Sequence, residues 1–153
     1  MSKQVQVALL LTGNELMSGD TVDSNSSRIA LALGAHKIGV GKKITVGDDP
    51  TLLTDSLMDL CGSAEVVIIN GGLGPTEDDL TAELVAEVAG QALVNHPSAI
   101  EHLQEWCERR GLELNASNLK QALLPEGSDL VANPIGSAVG FAIEVNSALV
   151  ITT

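Results

Sequence analysis

The order of apolar and polar segments predicts an α/β fold, a mostly parallel sheet covered by helices on both faces. Three observations carry that reading. Compact apolar runs, VQVALLLTG near the start and AEVVIIN further on, suit strands buried on both faces. Segments with helical spacing alternate with them, which favours parallel strands joined by crossovers. The first three strands each end in a polar, glycine-bearing loop: GNELMSGDTVDSN, GDDP and GGLGPTEDD. In such a sheet these loops gather beyond the carboxyl ends of the strands, where ligands bind.

The elements follow in order. Val5 to Leu11 form the core of the first strand, ending at Gly13, and NELMSGDTVD reads as a polar loop. Ser24 is placed to cap a helix through about Leu33, with Ile29, Ala32 and Leu33 inward and Gly34 as its stop. HKIGVGKKITV is the second strand, ending at Val46. Asp49 and Pro50 then open a helix as N-cap and first residue, with Leu53, Leu57 and Leu60 on one face and Gly62 at its end. After the AEVVIIN strand and the glycine loop, a helix runs from about Asp79 to Ala89, with Leu80, Leu84 and Val88 as its buried stripe. Pro97 starts and Gly111 stops the next helix, and NASNLKQALLP is a shorter helical piece ended by Pro125. The remainder alternates short strands and turns, and VNSA suits a hairpin.

The 153 residues are the size of one domain, and 44% are hydrophobic, enough for a real core. That core is aliphatic, because Trp106 and Phe141 are the only aromatics. A formal net charge of −12 argues against sequence-independent nucleic-acid binding, where Lys and Arg displace counterions, and against an anionic membrane surface. Cys61 and Cys107 are isolated and read as reduced, buried thiols rather than a zinc site. The amino-terminal apolar run is too short for a membrane span or signal peptide, so a cytoplasmic location is expected. The chain stops on SALVITT, an apolar strand-like run without a closing turn, which predicts a domain truncated at its carboxyl end.

The glycine loop carries the sharpest chemistry. Gly71, Gly72 and Gly74 lie between a buried strand and a helix, where backbone amides can approach an anion. A tight turn without a ligand fits the same residues. Neither a P-loop nor a dinucleotide fingerprint is present. Glu77, Asp78 and Asp79 follow directly, which is unfavourable for a bare phosphate. Helix capping accounts for one or two of these carboxylates. Mg²⁺ resolves the conflict, since it shares oxygen ligands between carboxylates and substrate phosphates. Asp48 and Asp49 end the previous strand and are candidates for the same pocket. The first loop adds Glu15 and Asp23, and NPIGSAVGF offers either a bend or a second anion loop through Gly136 and Ser137. His36, His96 and His102 sit at no ligand or triad spacing and read as surface or packing residues.

TGNELMSGDTVDSNSSRIA, ITVGDDP, NGGLGPTEDDLT and NPIGSAVGF together resemble, in order and spacing, the N-terminal domain of the competence/damage-inducible CinA family. That domain is similar to the wider molybdopterin-binding, MoaB/Mog-like superfamily. The resemblance covers essentially the whole chain, as a single domain over residues 1–153. It implies a three-layer α/β/α fold and a homo-oligomer. It also implies a small-molecule nucleotide or pterin ligand. Mog-like relatives adenylylate molybdopterin with Mg-ATP, whereas the CinA domain is associated with metal-dependent cleavage of ADP-ribose to AMP and ribose 5-phosphate.

By the same resemblance, Asp79 acts at the metal and phosphoryl group, and Asp48 or Asp49 matches the acid after the second strand. Gly71, Gly72 and Gly74, with Pro75 and Thr76, match the phosphate loop. Gly13, Glu15, Asp23 and Asn25 match first-loop positions, and Gly136 and Ser137 match a loop that lines the cleft. The expectation is therefore a nucleotide pyrophosphatase-like domain with catalytic Asp79, Asp48 and Asp49. A divalent metal (Mg, Mn or Co) would be held by Asp79 and Asp48, with a monovalent cation as an additional candidate. The alternatives are a molybdopterin-binding or adenylyltransferase protein and a non-catalytic nucleotide- or pterin-binding domain. The family usually continues past VITT with a Leu-Pro-Gly-Val-Pro loop, and Leu73 stands where Mog-like proteins commonly have Thr.

Overall fold

The computed structural model describes residues 4–153, so the first three residues of the amino-terminal run fall outside it. Six strands form one sheet in the order β2-β1-β3-β8-β7-β6. The strands are β1 (Val7–Thr12), β2 (Val40–Val46), β3 (Val66–Asn70), β6 (Asp129–Val131), β7 (Gly140–Val145) and β8 (Ala148–Thr152). β2, β1, β3 and β8 run parallel, while β7 is antiparallel to both β8 and β6. β4 (Leu93–Asn95) and β5 (Leu123–Pro125) make a separate antiparallel pair.

Helices cover both faces, giving three layers. Ala8 and Leu10 of β1 face the larger core, with Leu53, Leu57 and Leu60 of α3 (Pro50–Ser63), Val85 of α4 (Thr81–Ala89) and Leu103 of α5 (Pro97–Arg110). Val7, Leu9 and Leu11 point the other way. There they meet Leu16 of α1 (Asn14–Ser18) and Ile29 and Leu33 of α2 (Asn25–Ala35). β1 is thus apolar from Val7 to Leu11 because both its faces are buried.

Local signals account for most boundaries. The Asp49 carboxylate accepts from the Leu52 amide at 2.9 Å, with Pro50 in the first turn of α3. Gly111 adopts φ +64° at the end of α5, a left-handed stop that favours glycine. Asn146 and Ser147 both take positive φ in the β7–β8 hairpin, the twist that a two-residue connection needs.

Several expectations are corrected. NELMS is a helical turn, α1, rather than loop. Ser24 makes no capping bond; the Asp23 carboxylate takes the Ser26 amide instead, at 3.0 Å. Gly34 lies inside α2 and Ala32 is exposed, because the helix runs on to Ala35 and ends at His36. Likewise Gly62 falls within α3, which runs to Ser63. α4 begins at Thr81, and its buried residues are Thr81, Val85 and Ala86, one step round from the expected stripe, with Leu84 and Val88 half-buried. The β4–β5 ribbon was hidden because three-residue strands carry too few alternations to show a period. Cys61 and Cys107 are free and buried, as expected, and burial pushes the Cys61 thiol pKa up.

Leu60 is completely enclosed between α3 and the sheet, whereas Leu31 projects from α2 into solvent. Leu60→Ala is expected to cost about 2–5 kcal/mol in urea unfolding through lost burial and a residual cavity. Leu31→Ala should stay within about 0.5 kcal/mol in the same measurement.

Candidate functional site

Parallel strands end on one edge, so the loops after Thr12, Val46 and Asn70 lie side by side. β7 runs the opposite way, so the 132–139 segment before it reaches the same edge. Polar residues of these loops satisfy one another. Thr12 Oγ1 donates to Asp48 Oδ1 at 3.0 Å, and the Asn14 amide donates to Asp48 Oδ2 at 3.1 Å. In return the Asp48 amide donates to Asn14 Oδ1 at 3.0 Å. Asp48 therefore clasps the first loop to the second with both carboxylate oxygens. The Glu15 carboxylate lies over Gly13, 2.5 Å from where a Cβ would stand.

On the next strand, Asn25 Nδ2 donates to Asn70 Oδ1 at 2.9 Å, and Asn70 Nδ2 donates to the Thr153 carbonyl at 3.1 Å. Asp23 accepts from the Ser26 hydroxyl and amide, and Lys43 Nζ sits 3.5 Å from it. Burial raises the Asp23 pKa, but the Ser26 hydroxyl and amide and then Lys43 outweigh it and hold the carboxyl below its ordinary 3.8.

The glycine loop is folded by its own acid. Asp79 Oδ2 accepts from the Thr76 amide at 2.9 Å and the Thr76 hydroxyl at 2.6 Å. A Cβ on Gly74 would lie 2.5 Å from that oxygen, so a side chain there would push the carboxylate from its place. Gly72 has φ +70°, and a Cβ there would collide with Thr81 Oγ1. Thr81 secures the loop's start, its hydroxyl donating to the Gly71 carbonyl at 2.8 Å. Among the described residues, the amides of Gly72, Leu73 and Gly74 donate to no protein acceptor. Asp79 Oδ1 also carries no hydrogen bond. This loop therefore presents three consecutive donors and one carboxylate oxygen.

Lys120, not anticipated from the sequence, donates through Nζ to the Thr76 carbonyl and, at 2.8 Å, to the Asp79 carbonyl. Next to it, Gln121 Nε2 donates to Ser137 Oγ at 3.0 Å. His102 Nε2 lies 2.9 Å from the Gly136 carbonyl, so this residue read as surface or packing braces the later loop. Asn133 folds that loop, its Oδ1 accepting from the Gly136 amide at 3.0 Å. Gly72, Gly74, Asp79, Lys120 and Gln121 line one cleft. No local signal marks Lys120, because its partners lie more than 40 residues away.

The sequence matches, over residues 8–153, the family model described as "Probable molybdopterin binding domain". The chain belongs to that family. Its resemblance to CinA also holds: it is 51% identical over 141 residues to a CinA-like protein of Colwellia psychrerythraea, covering 92% of this chain and 33% of that one. The chain thus spans about a third of the length of the curated relatives it matches. The crystal structure of a CinA protein of unknown function from Thermoplasma acidophilum superposes with a TM-score of 0.86 at 29% identity, covering 97% of this chain and 87% of that one. The molybdopterin biosynthesis enzyme MoaB of Thermus thermophilus shares the fold, with a TM-score of 0.64 at 17% identity over 97% and 80% of the two chains. The three-layer α/β fold expected of this molybdopterin-binding-family domain is the one observed. No helix among its described residues is long and apolar enough to cross a membrane.

The donor set for a metal is sparse. No three His, Cys, Asp or Glu among the described residues converge on one point. Asp48 spends both oxygens on Thr12 and Asn14, and Asp49 caps α3. Asp79 is the carboxylate that would hold such an ion, as a single ligand whose second oxygen has no protein donor.

Two substitutions probe this geometry. Gly72→Ala should cost about 1–3 kcal/mol in chemical denaturation, from the left-handed backbone and the Thr81 collision. The folded Asp23 pKa lies below the unfolded one, so its stabilisation is present above the unfolded value and lost as pH falls through the folded value. The stability gap between wild type and Asp23→Asn is therefore expected to be steady near neutrality and to shrink below about pH 4.

Proposed function

We propose that the carboxyl edge of the sheet binds a phosphate-bearing pterin or nucleotide, with the glycine loop as its anion cradle. The observation that carries this reading is the run of free amides at Gly72, Leu73 and Gly74 beside the unused Asp79 Oδ1. Three donors without acceptors suit phosphoryl oxygens, and a site of fixed dipoles stabilises developing charge without reorganising. The family description and the name of the MoaB relative favour a pterin at the coarse level.

The finer reading is cleavage of the diphosphate of ADP-ribose or a similar dinucleotide to AMP and a sugar phosphate. It rests on the CinA resemblance together with the placement of Asp79. A divalent metal held there would supply Lewis-acid polarisation of a phosphoryl oxygen. The chain's own part is to hold the phosphates on the loop amides, fix the Asp79 carboxylate through Thr76, and keep the loop open to the cleft. Asp48 and Asp49 would contribute by holding the neighbouring loops in register.

The test is to incubate this chain, and a version extended past Thr153, with ADP-ribose and Mg²⁺, Mn²⁺ or Co²⁺ while measuring AMP. Metal-dependent AMP release is expected, reduced at least about 100-fold in Asp79→Asn, the scale of losing one electrostatic stabiliser. Absence of AMP in both versions sinks the hydrolase. Calorimetric binding of molybdopterin or ADP-ribose that survives Asp79→Asn would then support a non-catalytic binding domain. AMP transfer from ATP to molybdopterin would instead identify an adenylyltransferase.

A further inference from the structure

We propose that Lys120 and Gln121 are positioning residues: neighbours in one short turn that set the glycine loop and the 132–139 loop relative to each other. The inference rests on reading these loops as the ligand site. Lys120–Ala122 forms a 3-10 turn between α6 (Ala116–Leu119) and β5. Its base is anchored in the core. Ala122 is fully buried, its carbonyl accepts from the His96 amide at 2.9 Å, and β5 continues into the β4 ribbon.

From that base two side chains reach in different directions. Lys120 takes the carbonyls of Thr76 and Asp79. Every other hydrogen bond of residues 73–79 stays within that segment, so Lys120 is its one outside partner among the described residues. Gln121 reaches Ser137, which with the His102 contact ties the other loop down. Its side chain is enclosed, at 6% exposure, so the bond is shielded from competing water.

The residue types suit the task. An ammonium has three donors and no acceptor, so it can grip two carbonyls and retain a third proton. A hydrogen bond from a charged donor is also stronger than a neutral one. Asp79 and Glu83 line the same cleft, yet no carboxylate of the described residues forms an ion pair with Lys120, so its ammonium stays available beside the loop amides. In a chain of net charge −12, a cation at this place favours an anion beside it.

Hydrogen exchange by mass spectrometry on wild type, Lys120→Met, Lys120→Arg and Gln121→Leu tests the proposal without any ligand. In Lys120→Met, the amides of Thr76 and Asp79, the ones in residues 72–80 with protein acceptors, should exchange at least about tenfold faster, while β3 and α4 keep their protection. Gln121→Leu should release the 132–139 loop instead. Lys120→Arg, which still donates to two carbonyls, should restore much of the protection. Unchanged exchange of Thr76 and Asp79 in Lys120→Met, or an even loss of protection along the chain, overturns the proposal. Calorimetry with ADP-ribose on the same variants supplies the functional arm, where Lys120→Met should weaken binding by about tenfold or more. Localised exchange changes with no binding by wild type would uphold the bracket and refute the ligand reading.

Discussion

The parallel register of β1 with β2 and β3 is the constraint on which the rest of this molecule depends. Thr12 pairs with Val46, and Leu11 with Asn70, so three strands stop at one level. Burial of β1 on both faces enforces that register, because a one-residue slip would exchange its two sets of core side chains. The polar loops then have no alternative but to crowd together at a single edge.

Crowding explains what the acids do. In a chain with 20 Asp and Glu against 8 Lys and Arg, an edge rich in carboxylates ought to repel anions. Most of the carboxylates at this edge are engaged with protein donors. Asp23 turns to Ser26 and Lys43, Asp48 to Thr12 and Asn14, and Asp49 to the start of α3. Each is neutralised by donors or fixed in a cap, which lowers its effect on a neighbouring ligand. Asp79 differs in its place, holding its second oxygen within the loop whose amides have no protein acceptor, and Lys120 sets a positive charge against the same loop. A site for an anion can exist in an acidic protein because charge is distributed locally.

Glycine has two distinct uses here. Gly72 supplies a left-handed backbone at the turn out of β3. Gly74 supplies space, since a side chain there would displace the Asp79 carboxylate that folds the loop. The first is a conformational demand and the second a packing one. Both were legible as a glycine cluster, but only the second explains why the acid three residues beyond Thr76 matters.

The fold class, the buried strands, the Asp49–Pro50 helix start and the loops that meet at the edge were all readable in the amino-acid order. These are set by burial pattern and local capping, which act between near neighbours in the chain. Family membership was also legible, because loop motifs keep their spacing. Asp23's cap and the shifted stripe of α4 needed coordinates, since helix phase follows from how each helix sits on the sheet. Which acids remain available and what braces the loops emerged only from the folded arrangement. Asp48's engagement with Thr12 and Asn14, and the reach of Lys120 and Gln121 to two separate loops, join residues far apart in sequence. Such pairings depend on distance in space, and no period or spacing in the chain encodes them.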